Sequence, residues 1–215
     1  MDPADFIRRN TAITAPPLVP EIRLHLATEI TPIWQATEES LARSALPPPF
    51  WAFAWAGGQA LARYLLDHPE AVAGRFLLDF GAGSGLVAIA AAKAGAEFVL
   101  AAEVDHFAAA AIAANSALNG VAVTVTTADL IDGADPRWEM ITAGDVCYEQ
   151  PMAGRVTAWL RALARSGSLV LLGDPGRAYL PAEGLRERAR HLVPTSRELE
   201  DRETREAVVW EVLPR

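Results

Sequence analysis

The 215-residue chain predicts an α/β fold: a Rossmann-like seven-stranded sheet, mostly parallel with a C-terminal antiparallel hairpin, helices on both faces and a short N-terminal arm. Three observations predict it. From residue 75 onward, short apolar runs alternate with segments of helical length, the pattern of a parallel sheet covered by helices. A glycine turn, Asp79-Phe80-Gly81-Ala82-Gly83-Ser84-Gly85, joins the first of these runs to a helix. Near the C-terminus the alternation stops, and two apolar stretches follow each other across a charged Asp201-Arg202-Glu203 turn.

The elements follow in chain order. Leu46-Pro47-Pro48-Pro49-Phe50 can neither continue a helix nor pair inside a sheet, so it separates an arm, residues 1–46, from the body, residues 47–215. Within the arm, the alternation of Glu21 to Leu26 predicts a short strand, and Trp34 to Leu41 a short helix. In the body, Gln59 to Leu66 reads as a helix. Arg75 to Phe80 is a buried strand ending at glycines, and Leu86 to Ala94 a helix stopped by Gly95. Strand Phe98 to Val104, helix His106 to Leu118 and strand Val121 to Thr126 continue the alternation. Strands at Met140 to Gly144 and Leu169 to Gly173 flank a helix at Pro151 to Ala164. Glu183 to His191, rich in helix-forming Arg and Glu, predicts a last helix. Val193 to Glu200 and Ala207 to Leu213 form the terminal hairpin.

Composition narrows the function. Hydrophobic residues make up 51% of the chain, enough for one sizeable core. A net charge of −8 opposes a nucleic-acid partner, which needs a basic footprint. Apolar stretches end well before the ~18 residues of a membrane span, so no membrane role is expected. The acidic start, Met1-Asp2-Pro3-Ala4-Asp5, is unlike a secretory signal, and the lone Cys147 allows no internal disulfide or cysteine metal cage. A cytoplasmic monomer is the expectation. His25, His68, His106 and His191 share no metal-binding spacing.

The glycine loop carries the sharpest chemical signal. Glycines allow a tight turn and let a ligand reach the backbone. Glu103 ends the next strand, where an acidic group accepts hydrogen bonds from ribose hydroxyls. The loop reads Gly81-x-Gly83-x-Gly85 followed by Leu86, which departs from the dinucleotide spacing Gly-x-Gly-x-x-Gly. Asp79 before the loop would repel a pyrophosphate and could pair with the ammonium of a methionine moiety. The local chemistry therefore favours S-adenosylmethionine, with Asp79, Gly81, Ala82, Gly83 and Glu103 as its binding residues. Asp105 could touch the ribose edge or cap the following helix. Asp129, with Leu130 beside it, could receive the adenine amino group or cap a turn.

Polar residues at the C-terminal edge of the fourth body strand face the ligand crevice, which places Asp145 and Tyr148 at the acceptor side. A carboxylate and an aromatic face can hold and orient an amine. Both are candidate catalytic residues, although Asp145 could instead cap the next turn and Tyr148 pack on the sheet; Cys147 is an ordinary small buried residue. In the cluster Phe50-Trp51-Ala52-Phe53-Ala54-Trp55, Trp51 and Phe53 read as core, whereas Trp55, next to Gly57-Gly58, could wall the cofactor.

These residues resemble a known family. Asp79 to Gly85, Glu103, Asn115-x-x-x-Asn119-Gly120 and Asp145-Val-Cys-Tyr148 look like the seven-β-strand methyltransferases, and the Asp-x-x-Tyr step is similar to that of the protein-lysine group. Pro47 to Gln59 resembles the electron-transfer-flavoprotein β-subunit lysine methyltransferases more narrowly, as do Phe6 to Asn10, Val19 to His25 and Val193 to Glu200. The resemblance implies S-adenosylmethionine as donor, S-adenosylhomocysteine as product, and a lysine of the flavoprotein β subunit as acceptor engaged by Asp145 and Tyr148. Ala56 and Cys147 depart from residues common in the wider group, at positions that bear on substrate fit. A small-molecule N-methyltransferase, a ribosomal-protein methyltransferase, a non-catalytic binding module and a nicotinamide-linked oxidoreductase are the competing readings.

Overall fold

The computed structural model describes residues 2–27, 48–133, 135 and 137–214. The expected helix at Trp34 to Leu41 lies outside them. The arm begins with α1 (Pro3–Asn10), capped by Asp2, and a two-stranded antiparallel sheet of β1 (Ala12–Thr14) and β2 (Leu24–Leu26). The body contains α2 (Ala56–Asp67), β3 (Phe76–Phe80), α3 (Leu86–Lys93), β4 (Phe98–Ala102), α4 (His106–Leu118), β5 (Thr124–Thr126) and β6 (Met140–Gly144). It continues with α5 (Met152–Arg165), β7 (Leu169–Asp174), β8 (Leu185–Pro194), a single turn α6 (Arg197–Glu200) and β9 (Thr204–Val212).

Strands β3 to β9 form one seven-stranded sheet in the order β5-β4-β3-β6-β7-β9-β8. The first five are parallel, and β9 and β8 are antiparallel, as the sequence predicts. Strand β3 is apolar apart from Asp79 because both its faces are covered. Leu77 packs with α2 and α3 on one face, and Leu78 packs with α5 on the other. Helix α5 repeats the same logic. Its buried Ala153, Val156, Trp159, Leu160 and Leu163 recur at helical spacing and make one apolar stripe. Truncating a core leucine such as Leu160 to alanine costs about 3 kcal/mol in such a site.

The arm is tied to the body by a second layer of packing. Phe6 and Ile7 of α1 bury against Trp51, Phe53 and Ala108, confirming Trp51 and Phe53 as core. Val19, Ile22, Leu24 and Leu26 cover α2 and α3. The polar contacts of this junction include Gln59 with the Leu18 N–H, Arg63 with Glu21, and two asparagines, Asn115 of α4 and Asn119 at its C-cap. Buried Asn115 accepts from the His25 N–H at 2.8 Å and donates to the Ser84 carbonyl at 2.8 Å. Asn119 accepts from the Arg23 N–H and donates to the Arg23 carbonyl. One side chain thereby links the arm strand to the glycine loop.

The segment Glu183 to His191 is not a helix. Residues Leu185 to Pro194 are β8, the outer strand of the sheet. Helix propensity is overridden because Arg186 and Arg188 both pair with Glu211, and Arg190 pairs with Glu206, across the β8–β9 ladder. Charges along an exposed edge also discourage pairing with a second chain. The hairpin strands are consequently 185–194 and 204–212. The expected strand at Val193 to Glu200 ends at Pro194, and Ser196 caps α6 by accepting from the Leu199 N–H. Residues Val121 to Val123 precede β5 rather than belong to it.

Candidate functional site

The order of strands reverses between β3 and β6, and the crevice at such a point is where open parallel sheets bind ligands. The glycine loop forms one wall. Gly81, Gly83 and Gly85 have φ of 64°, 52° and 80°, in the left-handed region that suits glycine. A Cβ added to Gly83 would meet nothing within 4 Å, so the loop is open there. At Gly85 it would lie 3.1 Å from Ile112, so this glycine also lets α4 pack under the loop. Ala82 packs into the core beneath.

The acidic residues divide by position. Glu103 directly follows β4 and reaches across to the loop, accepting from the Gly83 N–H at 3.0 Å and the Asp105 N–H at 3.2 Å. Burial raises its carboxyl above the usual glutamate range. Asp79 differs from the expected carboxylate open to a methionine ammonium. It is 1% exposed and points into the fold, where it accepts from Thr142 Oγ1 at 2.8 Å and the Ala88 N–H at 3.1 Å. Burial pushes its pKa up to about 7. Asp105 caps α4, accepting from the Phe107 N–H at 2.8 Å, so the helix-capping role is the one seen. Exposed Asp129 closes a turn by accepting from the Ile131 N–H, and Leu130 leans on the α5 side of the core.

The opposite wall is the end of β6. Asp145 has φ 57°, a conformation that costs a non-glycine residue about 1 kcal/mol and is best tolerated by Asn and Asp. Its side chain is buried against the N-terminus of α2, where Oδ2 accepts from the Gly58 N–H at 2.9 Å. The approach is close: a Cβ on Gly57 would fall 2.6 Å from Asp145 Oδ2 and collide with the Gly173 carbonyl. Burial raises the Asp145 pKa to about 6, partly offset by the Arg177 guanidinium. The N-terminal helix dipole adds further stabilisation of the anion.

Tyr148 is 46% exposed at the rim, its ring edge-on to Phe50 at 5.7 Å between centroids. Trp55 caps the start of α2, donates from Nε1 to the Phe50 carbonyl at 2.9 Å, and lies under the guanidinium of Arg177 at 5.5 Å. Cys147 is fully buried, with its thiol pushed up to about 12, so it stays protonated.

The arrangement contains three residues the sequence reading did not single out. Asp174 ends β7 and accepts from the Gly176 and Arg177 N–H groups at 2.7 and 2.6 Å. This turn presents Arg177 to Asp145 at 2.8 Å and to Glu200 at 2.8 and 3.0 Å. The signal was present: Asp174-Pro175-Gly176-Arg177 follows a parallel strand, at the same sheet edge that marked Asp145. A cavity of about 300 Å³ near Arg75, Trp138 and Ser168 lies at the other end of these strands, remote from the crevice.

Comparison with known proteins fixes the family. Curated electron transfer flavoprotein beta subunit lysine methyltransferases match along most of the chain. That of Xenopus laevis is 40% identical over 194 residues, covering 89% of this chain and 76% of its own. That of Danio rerio is 38% identical over 216 residues, covering 97% and 83%. The chain belongs to the electron transfer flavoprotein beta subunit lysine methyltransferase family. The family model for ribosomal protein L11 methyltransferase (PrmA) matches residues 60–143, the segment that runs from within α2 through the glycine loop into β6. Among solved structures, magnesium protoporphyrin IX methyltransferase from Synechocystis PCC 6803 shares the fold at a TM-score of 0.54 and 18% identity, covering 73% of this chain and 81% of its own. Ribosomal protein L11 methylase from Lactobacillus delbrueckii subsp. bulgaricus does so at 0.52 and 20%, covering 75% and 81%. For this flavoprotein methyltransferase family member, the family resemblance seen in the sequence is upheld, and the oxidoreductase and binding-module readings fall away. Among the described residues, no helix is long and apolar enough to cross a membrane.

Proposed function

We propose that the protein is an S-adenosylmethionine-dependent protein-lysine N-methyltransferase acting on the electron transfer flavoprotein β subunit. The observation that carries the reading is Asp145. It is a buried carboxylate with one oxygen on a helix N-terminus, set beside the glycine loop, where Val146 stands 3.4 Å from the Cβ position of Gly81. A buried anion with unused acceptor capacity attracts a cationic side chain and aligns its nitrogen.

The crevice suits the donor. Its cradle is open above Gly83, and Glu103 supplies carboxylate oxygens of the kind that hold ribose hydroxyls. Gly81, Ala82, Gly83 and Glu103 would contact it, with Asp105, Asp129, Leu130 and Trp55 around its ribose, adenine and methionine ends. Asp79 would act indirectly, by locking the loop to α3 and β6. When bound, S-adenosylmethionine supplies an electrophilic methyl group. The protein's own task is then alignment: Asp145 accepts a hydrogen bond from the acceptor amine, and the Tyr148 ring covers it from the rim. Holding the reacting atoms at near-attack distance supplies several kcal/mol of the barrier reduction.

Phe50, Tyr148 and Tyr179 are all exposed near Asp145, which favours a macromolecular acceptor over an enclosed metabolite. In this proposal residues 47–215 are the methyltransferase domain, the arm packs on it, and the enzyme acts as a cytoplasmic monomer. The test is incubation with S-adenosylmethionine and purified electron transfer flavoprotein, read by intact mass and peptide mapping. Mass gains of one or more methyl groups on β-subunit lysines support the reading. A β subunit whose mass is unchanged refutes it.

A further inference from the structure

Asp145 is one end of a chain of charged residues, and the other members have no place in the alignment just described. Arg177 bridges two buried carboxylates. Its Nη2 is shared between Asp145 Oδ1 and Glu200 Oε1 at 2.8 Å each, Nη1 adds Glu200 Oε2 at 3.0 Å, and Nε reaches Asp145 Oδ1 at 3.3 Å. The guanidinium plane lies over Trp55, and the Arg177 N–H is itself tied to Asp174. Asp145, Glu200 and Trp55 all constrain one side chain, each from a different part of the fold, and Asp174 fixes its backbone.

We propose that Arg177, held by Glu200 and Trp55, is a positioning residue that fixes the orientation and charge of Asp145 for the acceptor amine. The proposal rests on the reading of Asp145 as the acceptor carboxylate. A carboxylate has about four acceptor positions. Arg177 takes two on Oδ1 and the Gly58 N–H takes one on Oδ2, which leaves capacity on Oδ2 for an incoming amine. Arginine suits this task better than lysine because its planar fork binds two carboxylates in fixed geometry. Glu200 is 4% exposed and also meets Arg205 at 3.4 Å, so the tether is buried.

Charge balance gives the arrangement its consequence. Asp145 faces Arg177 on the β7 turn, Asp174 at the end of β7, the Cys147 thiol on its own strand end, Glu200 through Arg177 from α6, and the positive end of α2. Asp174 repels the anion and burial opposes it, while Arg177 is the cation that favours it. Removing Arg177 therefore raises the pH at which Asp145 ionises.

The experiment measures kcat/KM for methylation of purified electron transfer flavoprotein from pH 6 to 9, with S-adenosylhomocysteine affinity and thermal unfolding in parallel. It compares wild type, Arg177→Gln, Arg177→Lys and the double variant Arg177→Gln/Glu200→Gln, which removes the buried Glu200 carboxylate that the single variant would leave without Arg177. The proposal expects Arg177→Gln to lose at least tenfold near pH 6.5, with the deficit shrinking to about threefold by pH 9. Arg177→Lys should recover part of the loss, the double variant should reproduce the pH-dependent deficit, and S-adenosylhomocysteine affinity should stay within threefold. A deficit equal at all pH values, a variant as fast as wild type, or a loss explained by weaker S-adenosylhomocysteine binding overturns it. A wild-type enzyme that fails to methylate the flavoprotein overturns the acceptor reading itself; an active wild type with pH-insensitive variants overturns only the role of Arg177.

Discussion

Glu103 and Gly83 are joined across the crevice: the carboxylate at the end of β4 accepts from the amide of the glycine loop at 3.0 Å. The same carboxylate also accepts from Asp105, so it organises both edges of the cleft before any ligand enters. A ribose diol must share this carboxylate with the loop. Glu103→Ala removes the acceptor and releases the loop. It should weaken S-adenosylhomocysteine binding at least tenfold by calorimetry, about 1.4 kcal/mol, without changing the melting temperature by more than a few degrees. An unchanged dissociation constant would remove Glu103 from the donor site.

Asp79 gives a prediction about pH. Its ordinary value of 3.8 rises to about 7 on burial, so between those values the folded protein holds a proton that the unfolded chain has lost. Stability contributed at this site therefore falls as pH rises through that window. Asparagine at position 79 is isosteric, can accept from Ala88 and engage Thr142, and carries no charge. The melting temperature of Asp79→Asn relative to wild type should climb between pH 4.5 and 7.5. A difference that shrinks over this range contradicts the burial account.

The spacing of Asp79, the glycines and Glu103 was legible because local chain geometry fixes it: a strand, a tight turn, a helix and the next strand end. The acceptor edge was legible for a similar reason, since Asp145 follows directly from β6. The edge position of Arg177 was signalled in the same way, but its pairing with Asp145 and Glu200 was not, because those contacts span 32 and 23 residues of sequence. The β8 segment misled for the same reason. Its Arg and Glu residues suit a helix locally, and only the partner strand carrying Glu206 and Glu211 turns them into cross-strand pairs. Asp79 shows a subtler limit: its position in sequence was informative, but the direction of its side chain depends on Thr142 in a strand that is distant in sequence.

Asn115 carries the junction between arm and loop. Asn115→Ala leaves the half-buried His25 N–H and the buried Ser84 carbonyl without their partner. Each such loss costs about 1–3 kcal/mol. Chemical denaturation should show a loss of about 2–4 kcal/mol, together with weaker S-adenosylhomocysteine binding because Ser84 sits in the glycine loop. Full stability in this variant would show that apolar packing alone holds the arm.

Gly57 and Gly173 allow the backbone of α2 to touch the end of β7. A methyl group at either position meets a carbonyl oxygen at a distance real side chains do not adopt. Gly57→Ala should lose on the order of 3 kcal/mol and displace Asp145 as well, so methyl transfer should fall even where the protein stays folded. Thermal unfolding and turnover measured together test this. A variant normal in both would mean the α2–β7 approach is looser than described.

Asp145→Asn tests the central claim most directly. Asparagine tolerates the left-handed backbone at this position and can still accept from Gly58, so the fold and the donor crevice should survive. Transfer of a labelled methyl group to the electron transfer flavoprotein β subunit, measured beside S-adenosylhomocysteine affinity, should fall at least a hundredfold while that affinity stays within threefold of wild type. Turnover comparable to wild type would contradict the assignment of Asp145 as the carboxylate that receives the acceptor lysine.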